Sequence, residues 1–324
     1  MTSKETRLPN QLDEASSPRQ NSGLGILLMI GAVLVFGSQD GLSRYLGAKY
    51  DVITIVMLRY WFFALFVVGL SARSRGGLRE VAKSNNLPLQ LARGVLLAIQ
   101  ICIMVFSFAT LGLVESHAIF ACGPLIVVAL SVPVLGEKVG IWRWSAVLVG
   151  CIGIFIILDP GNTVFSVKSL VPIMGTVLFA CYTLMTRIAG RHDSVQTSFF
   201  WTGIGGTVFI TCLLPLYWVP PQGADWGWML LLCITGVGGH YLMIQAFRHA
   251  EASLLQPLAY LQTVFASAVG IIIFGEVLDN RLAYGATLII LAGLFTIWRE
   301  RQRNRLEQSG KPSERQSVVE GGHR

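Results

Sequence analysis

Two ionisable residues lie well inside long apolar stretches of the sequence, where an unpaired charge is costly and indicates function by default. Asp40 lies near the end of the first stretch, and Arg59 lies about 10 Å into the second at about 1.5 Å per residue. Their similar depth is compatible with a structural ion pair, and Arg44, one turn after Asp40, could share that carboxylate. It is equally compatible with a proton-responsive gate, so both interpretations stay open.

His240 is the third candidate for chemistry. It follows Gly236, Gly238 and Gly239 in the eighth apolar stretch, and glycines let a helix or a ligand approach the backbone closely. One interpretation is close packing, with His240 hydrogen-bonded to a neighbouring helix. The other is a cavity-lining ligand or proton carrier, because histidine titrates near neutral pH.

A set of amide and tyrosine side chains accompanies these three residues. Amides can read the edges of a planar heterocycle, and tyrosine rings can stack on its face. Any single one of these side chains is explained by an ordinary hydrogen bond between helices. Their spread over five apolar stretches, however, predicts that as a group they line a cavity. The set comprises Gln39, Gln100, Tyr182, Tyr241, Gln245, Gln256, Tyr260 and Gln262.

Other charged or polar residues near the apolar stretches are interpreted as structural. Glu115, His117 and Glu251 fall at turns, where we expect them to cap helices. Glu137 and Glu276 each follow a glycine at the end of an apolar stretch, as turn residues. The six cysteines form no CxxC pair and no metal-site spacing. The sequence therefore predicts no catalytic residue, no metal site and no cofactor.

The elements that must position these residues are membrane-spanning helices. Only 13% of the 324 residues are charged, against about 25% in a soluble domain. A helix that crosses the hydrocarbon needs about 20 apolar residues, and lipid satisfies no backbone groups. Ten blocks qualify, at 24–46, 52–72, 89–112, 116–135, 142–159, 169–189, 195–217, 227–248, 253–274 and 281–299.

The placement of lysine and arginine predicts the orientation of these spans. With the N-terminus in the cytoplasm, 20 of the 25 basic residues lie inside, including Arg93, and four lie outside. We therefore expect a multi-pass protein of the cell inner membrane with both termini cytoplasmic. Residues 1–22 form a predicted disordered tail, and residues 301–324 form a basic tail, disordered from about 303 onward. The basic residues form no separate domain, so nucleic acid is not an expected partner.

An internal repeat divides the spans into two sets of five. Val134-Leu135-Gly136-Glu137 matches Ile273-Phe274-Gly275-Glu276, and Ser43–Gly47 matches Thr186–Gly190. The repeats are predicted at 23–160 and 161–300, and because five is odd they enter the membrane in opposite senses. Inverted repeats are typical of secondary transporters with a mid-membrane site. The second repeat has Thr263 where the first has Pro124, so a proline kink is expected in the first repeat only.

These features resemble the drug/metabolite transporter superfamily of EamA type, over about residues 24–299. The resemblance rests on the two five-helix halves, the Gly-Glu pair after the fourth span of each, and Leu58-Arg59-Tyr60. Within the superfamily, Ser38–Gly41, Arg59–Trp61, Leu113–Ala118 and Glu251–Pro257 are similar to segments of bacterial riboflavin importers. S-adenosylmethionine uptake carriers share much of this pattern.

The resemblance implies an all-α integral membrane protein of ten transmembrane helices that moves a small metabolite by alternating access. Riboflavin is the first substrate it implies, followed by S-adenosylmethionine or another imported metabolite. An exporter of amino acids or drugs on the same fold is a further alternative. A membrane-embedded enzyme is disfavoured, because charged or metal-binding residues do not cluster at one interface. A channel is disfavoured, because only Asp40 and Arg59 are charged well inside the spans. The expected partners are the small substrate and membrane lipid, with a homodimer as a candidate assembly.

Overall fold

The structure, a computed structural model, describes residues 22–309 apart from 75, 137–139, 159–166 and 250–254. Within these residues the regular structure is helical throughout, with no strand. Glu137 and Glu251, and the predicted disordered tail at 1–22 except for Ser22, lie outside the described residues.

The described helices follow the predicted blocks closely. In the first half they are α1 Ser22–Gly47, α2 Val52–Ala72, α3 Gly77–Ala82, α4 Leu87–Thr110, α5 Leu113–Phe120, α6 Gly123–Leu135 and α7 Ile141–Leu158. In the second half they are α8 Leu170–Ala189, α9 Val195–Cys212, α10 Leu214–Tyr217, α11 Asp225–His249, α12 Tyr260–Phe274 and α13 Asn280–Ser309.

Seven spans among the described residues are long and apolar enough to cross a membrane. They comprise α1, α2, α4, the continuous segment Leu113–Leu135, α8, α11 up to Ala246, and α13 up to Arg299. Two shorter apolar helices, Trp144–Leu158 and Tyr260–Phe274, also occupy predicted blocks. The chain is therefore a multi-pass membrane protein.

The fourth and ninth blocks are broken helices, and the expectation of a kink in one half only is wrong. In the first half the helix is interrupted at Ala121 and Cys122, just before Pro124. In the second half a 3₁₀ turn at Gln256–Ala259, which contains Pro257, precedes α12. Each proline lacks the N–H that a continuous helix would use, so different prolines break the two halves.

The contacts between helices reproduce the repeat. α1 packs on α11, and its repeat counterpart α8 packs on α4, the counterpart of α11. In the same way, α1 contacts α12 and its counterpart α8 contacts α6, the counterpart of α12. Two further pairs join counterparts directly, α2 with α9 and α7 with α13. Every one of these pairs joins one half to the other. The two halves are therefore interleaved, and a site between them is lined by both.

Small residues permit the closest of these approaches. A Cβ at Gly153 of α7 would lie 2.9 Å from the Gly285 carbonyl oxygen of α13, and one at Gly285 would lie 2.7 Å from the Gly153 oxygen. Ala146 is buried, and a Cβ at Gly150 would collide with Leu125 of the same chain. These small residues therefore pack helices within one chain.

The last helix is longer than predicted. α13 continues to Ser309, so residues 303–309, which composition predicts to be disordered, are helical. This segment is rich in Arg, Gln, Glu and Leu, all strong helix formers. A helix that is already nucleated in the apolar span extends into such a sequence at low cost.

Candidate functional site

Asp40 makes its contacts across the bundle rather than along its own helix. Its Oδ2 atom lies 3.1 Å from Nε2 of His117 on α5 and accepts a hydrogen bond of 3.0 Å from Nε2 of Gln262 on α12. The predicted ion pair between Asp40 and Arg59 is not formed within the described residues, and Arg44 does not share this carboxylate. His117 is 2% exposed and lies inside α5, so its predicted capping role is wrong.

Arg44 and Glu276 form a clamp at the end of the bundle where α1 leads into α2. The Arg44 guanidinium pairs with Oε1 of Glu276 and also lies 4.6 Å from the centre of the Phe274 ring. Glu276 accepts N–H groups at 2.9 Å from Leu113 and at 2.7 Å from Val114, the first two residues of α5. A carboxylate from the second half thus caps a helix of the first half.

Arg59 lies deep among the helices and still keeps accessible surface. It makes no hydrogen bond and no ion pair with any described residue, although it interacts electrostatically with Asp40 and His240. A buried guanidinium without acceptors is strongly disfavoured. The five N–H donors of Arg59 are therefore open to a ligand that reaches its accessible surface.

His240 stands among three half-buried phenylalanine rings. The ring centres of Phe36, Phe63 and Phe199 lie 5.0, 6.4 and 6.4 Å from its imidazole. Nδ1 of His240 bonds to the Gly236 carbonyl of its own helix at 2.8 Å, not to a neighbouring helix. Because a carbonyl only accepts, Nδ1 carries the proton and Nε2 of the neutral ring offers a lone pair.

These phenylalanines come from three different helices and from both halves. Phe36 belongs to α1, Phe63 to α2 and Phe199 to α9, and a Cβ at Gly239 would collide with the Phe36 ring at 2.6 Å. We call Arg59, His240, Phe36, Phe63 and Phe199 the central cluster. It combines flat apolar surfaces with donors and one acceptor, which suits a planar ligand that carries polar edges.

Gln39 and Gln100 are buried at 7% and 5% exposure. The Gln39 Oε1 atom has no hydrogen-bond partner among the described residues and faces Gly236 of α11. No described residue makes a hydrogen bond to Gln100. Two amides on helices adjacent to the central cluster are thus left with unused polar capacity, which is unusual for buried groups.

Other predicted lining residues do not come together with the central cluster. Tyr241 is 55% exposed and accepts a hydrogen bond from Gln245 at 2.8 Å on the outside of α11. Tyr260 packs against Gly293 in the apolar core between α6, α7 and α13. Tyr182 lies under the guanidinium of Arg93 at 5.5 Å. The side chain of Gln256 is outside the described residues.

Arg93 belongs to a buried polar network at the opposite end of the bundle. It is 2% exposed and donates to Thr186, Gln90, Thr202 and the Ser198 carbonyl. It therefore joins α4 to α8 and α9, and it lies within the predicted block 89–112 as a buried residue. Seven residues into α4, it has enough helix around it to be enclosed.

Asp193 completes this network from the turn between α8 and α9. It accepts hydrogen bonds of 2.8 Å from Gln90 and 2.7 Å from the Asn85 N–H, and it is also bonded to Ser84. Burial of the carboxylate opposes ionisation, but these hydrogen bonds outweigh it and lower the pKa of Asp193 from its ordinary value. The ionised carboxylate therefore stabilises this end of the bundle.

Sequence reasoning missed His117, the phenylalanines and the Arg93 network. The phenylalanines carry no signal, since 17 phenylalanines are spread through apolar stretches. His117 did carry one, because it lies inside the predicted block 116–135, and the helix itself starts at Leu113, three residues before that block. Within the described residues no group of histidine, cysteine, aspartate and glutamate could hold a metal ion.

Apolar helices interleaved from two halves, with unpaired donors where the halves meet, define a membrane transport protein. The sequence profile of the EamA-like transporter family matches residues 23–159 and 169–298. The chain therefore belongs to the EamA-like transporter family, in two repeats, which confirms the resemblance. Its family and its relatives are transporters rather than enzymes.

Curated relatives cover nearly the whole chain at low identity. The riboflavin transporter of Vibrio cholerae is 28% identical over 88% of this chain and 96% of its own length. The S-adenosylmethionine uptake transporter of Rickettsia prowazekii is 23% identical over 86% and 94%. The pseudopaline exporter of Pseudomonas aeruginosa is 24% identical over 83% and 94%. These relatives differ in substrate and direction, so they establish transport and not its cargo.

A solved crystal structure also matches this fold. It superposes with a TM-score of 0.58 at 15% identity, over 88% of this chain and 99% of that chain. At this identity the likeness establishes the fold alone.

Proposed function

We propose that this protein carries a small metabolite across the cell inner membrane by alternating access, through ten transmembrane helices arranged as two inverted repeats. Seven spans meet the length and hydropathy expected of a crossing. The remaining three crossings are α7, α9 and α12, each paired with a helix of the other half. With ten crossings both termini lie in the cytoplasm, in agreement with the basic residues.

The observation that carries this proposal is the unpaired guanidinium of Arg59. It lies on the second helix of the first half and interacts electrostatically with His240 of the second half, whose imidazole stands among three aromatic rings. A permanent charge held there without an acceptor favours a ligand that supplies one. A ligand bound between the halves is exposed to either side when the halves rock against each other.

Riboflavin is the first substrate we propose. Its planar ring system offers faces for the phenylalanines and a row of carbonyl acceptors for Arg59. The relative at 28% identity is a riboflavin transporter. S-adenosylmethionine is the second candidate, because its carboxylate matches the guanidinium fork and its adenine matches the rings. Gln39 and Gln100 are proposed to read polar edges, whereas Asp40 and Gln262, which are hydrogen-bonded to each other, are proposed to gate.

Purified protein in liposomes tests this function by counterflow. Vesicles preloaded with unlabelled riboflavin should take up labelled riboflavin in a saturable way, since a carrier exchanges its substrate and a channel does not saturate in this manner. Parallel vesicles carry S-adenosylmethionine or an amino-acid mixture. Exchange of another metabolite without exchange of riboflavin would reject riboflavin, and exchange of none would reject the transporter assignment for these substrates.

Two variants test the site. Arg59→Gln removes the charge-assisted hydrogen bonds, each of about 1.5–3 kcal/mol, and should weaken binding roughly 10–100-fold. Tyr241→Phe is the matched control, because Tyr241 neighbours His240 in sequence but lies on the exposed face of α11. Binding is measured as ligand-induced stabilisation, which reaches about 2.7 kcal/mol at a hundred times Kd. Equal affinities in the two variants would contradict the assignment of the site.

Membrane topology and assembly need separate measurements. Single cysteines placed at the two termini should react only from the cytoplasmic side, and labelling of one terminus from outside would exclude ten crossings. The predicted homodimer is measured by the mass of the detergent-solubilised protein after subtraction of bound detergent.

A further inference from the structure

The contact between His117 and Asp40 lies outside the central cluster as defined above. The two side chains are 2% and 8% exposed, and Nε2 and Oδ2 are 3.1 Å apart. At this distance the two groups form an ion pair when the imidazole is protonated, and Nε2 has no hydrogen-bond partner among the described residues. The pair is therefore a charge contact whose strength depends on the proton of the imidazole.

The surroundings of the imidazole hold it in place without satisfying it. His117 stacks on Phe108 with centres 5.3 Å apart and planes 5° apart, and it meets the edge of Phe120 at 6.4 Å. These apolar faces provide no hydrogen bonds for a charged imidazole. Among the described residues Asp40 is the one carboxylate placed to stabilise the proton. Gln262 donates to the same carboxylate oxygen and compensates part of its charge when the imidazole is neutral.

Other titratable and charged groups near the pair are already engaged or belong to the central cluster. On α1, Arg44 is committed to Glu276, which follows α12. On α5 itself, Glu115 accepts a hydrogen bond of 2.6 Å from Ser169. Arg59 on α2 and His240 on α11 belong to the central cluster. On α8, Tyr182 lies under Arg93. From α4 the pair is faced by Phe108 and from α12 by Gln262.

We propose that the Asp40–His117 pair is a proton-binding site that couples metabolite transport to proton movement. The coupling follows from the charges. With a neutral imidazole, the negative charge of Asp40 is stabilised by the hydrogen bond from Gln262 and by its electrostatic interaction with Arg59. An acceptor group of the substrate that engages Arg59 weakens that interaction, and a proton taken up by His117 compensates for the loss. Substrate and proton therefore bind cooperatively, and by linkage each raises the affinity for the other.

The position of the pair connects this proton to the movement of the halves. Asp40 and His117 belong to the first half, whereas Gln262 belongs to the second. α5 is also tied to the second half through Glu276, which caps its first turn. A proton that strengthens the α1–α5 contact changes the same corner that joins the halves. In the proposed topology this corner faces the outside, so the proton enters with the substrate.

This inference rests on the proposed transport function, and one set of vesicles separates the two. Proteoliposomes contain a pH-sensitive dye and are clamped at zero membrane potential with potassium and valinomycin. Addition of riboflavin, or of S-adenosylmethionine if that is the metabolite exchanged in counterflow, should acidify the lumen at a rate proportional to uptake. An inward gradient of one pH unit is worth about 1.36 kcal/mol per proton, so one coupled proton supports roughly tenfold accumulation.

His117→Gln is the test variant, and His192→Gln is the control because His192 is exposed in the turn before α9. The test variant should still exchange labelled substrate in counterflow, with an accumulation ratio near 1 and no acidification. The control should behave as the wild type. Wild-type uptake without acidification, or a test variant that still accumulates substrate with the pH gradient, would overturn the proton site.

Loss of folding does not obscure the result. If His117→Gln fails to exchange and melts early, the wild-type measurement alone decides, because it requires no variant. Absence of counterflow in the wild type is instead a failure of the proposed function.

Discussion

Glu276 is predicted to be the residue in the loop after α12 on which stability depends most. We consider the change Glu276→Gln, which keeps the shape of the side chain and removes its charge. In the wild type, the two carboxylate oxygens of Glu276 accept hydrogen bonds from the backbone N–H groups of Leu113 and Val114. The oxygen Oε1 also pairs with Arg44. An amide has only one acceptor oxygen. In the variant the NH₂ group therefore faces one of the donors whose hydrogen bond the carboxylate had accepted.

The expected cost follows from these contacts. One backbone N–H at the start of α5 loses its acceptor, and the Arg44 guanidinium loses its counter-charge. The side chains of Glu276 and Arg44 are only 10% and 20% exposed, so water replaces these contacts poorly. A charge-assisted hydrogen bond contributes about 1.5–3 kcal/mol to stability. At about 2–4 °C per kcal/mol, the loss of this bond lowers the melting temperature by about 3–12 °C.

Asp279→Asn provides a matched control in the same loop. Asp279 is also paired with an arginine, Arg281, but the two side chains are 45% and 42% exposed. Exposed pairs contribute about 0–1 kcal/mol, so this variant should melt within about 4 °C of the wild type. Melting is followed by tryptophan fluorescence in detergent. Equal melting temperatures for the two variants would refute the role of Glu276 as a helix cap.

Two further predictions concern packing and pH. Gly206→Ala places a Cβ 2.1 Å from the ring of buried Tyr60, and this overpacking should destabilise the protein by about 1–3 kcal/mol. Gly238→Ala, where no atom lies within 4 Å, should leave the melting temperature unchanged or slightly raised. For Asp193→Asn, the pKa of the native carboxylate is lowered from its ordinary value of 3.8. Its contribution to the free energy of unfolding is therefore fully present above pH 3.8 and is lost as the pH falls through the lower pKa of the folded state. The melting temperatures of this variant and the wild type should therefore differ at neutral pH and converge in acid.

Much of the fold is predictable because a membrane helix carries its own local signature. The predicted block 52–72 coincides with α2, and most other blocks agree within a few residues. The repeat is visible because Gly136 and Gly275 both end their helices with positive φ, at 68° and 65°, where glycine is favoured. Helix breaks are less predictable, since Pro124 and Pro257 occupy different positions in the two halves.

Partners of the buried charges are not predictable in this way. Asp40 could be placed at membrane depth from the sequence, but the choice among Arg44, Arg59 and His117 depends on how α1 is rotated against α5 and α12. That rotation is set by long-range packing, such as Phe36 against Gly239 and Phe265 against Gly37. The contact of Asp40 with Gln262 joins residues 222 positions apart.

The amino-acid sequence by itself determined that this chain is a helical membrane protein in two related halves, because apolar length and charge placement act locally through the lipid. Only the tertiary structure decided which polar groups are satisfied. It paired Asp40 with His117 and Glu276 with Arg44, and it left Arg59 without an acceptor among the described residues. The physical reason is that the free energy of a buried charge depends on every group around it, and those groups come from helices distant in the chain.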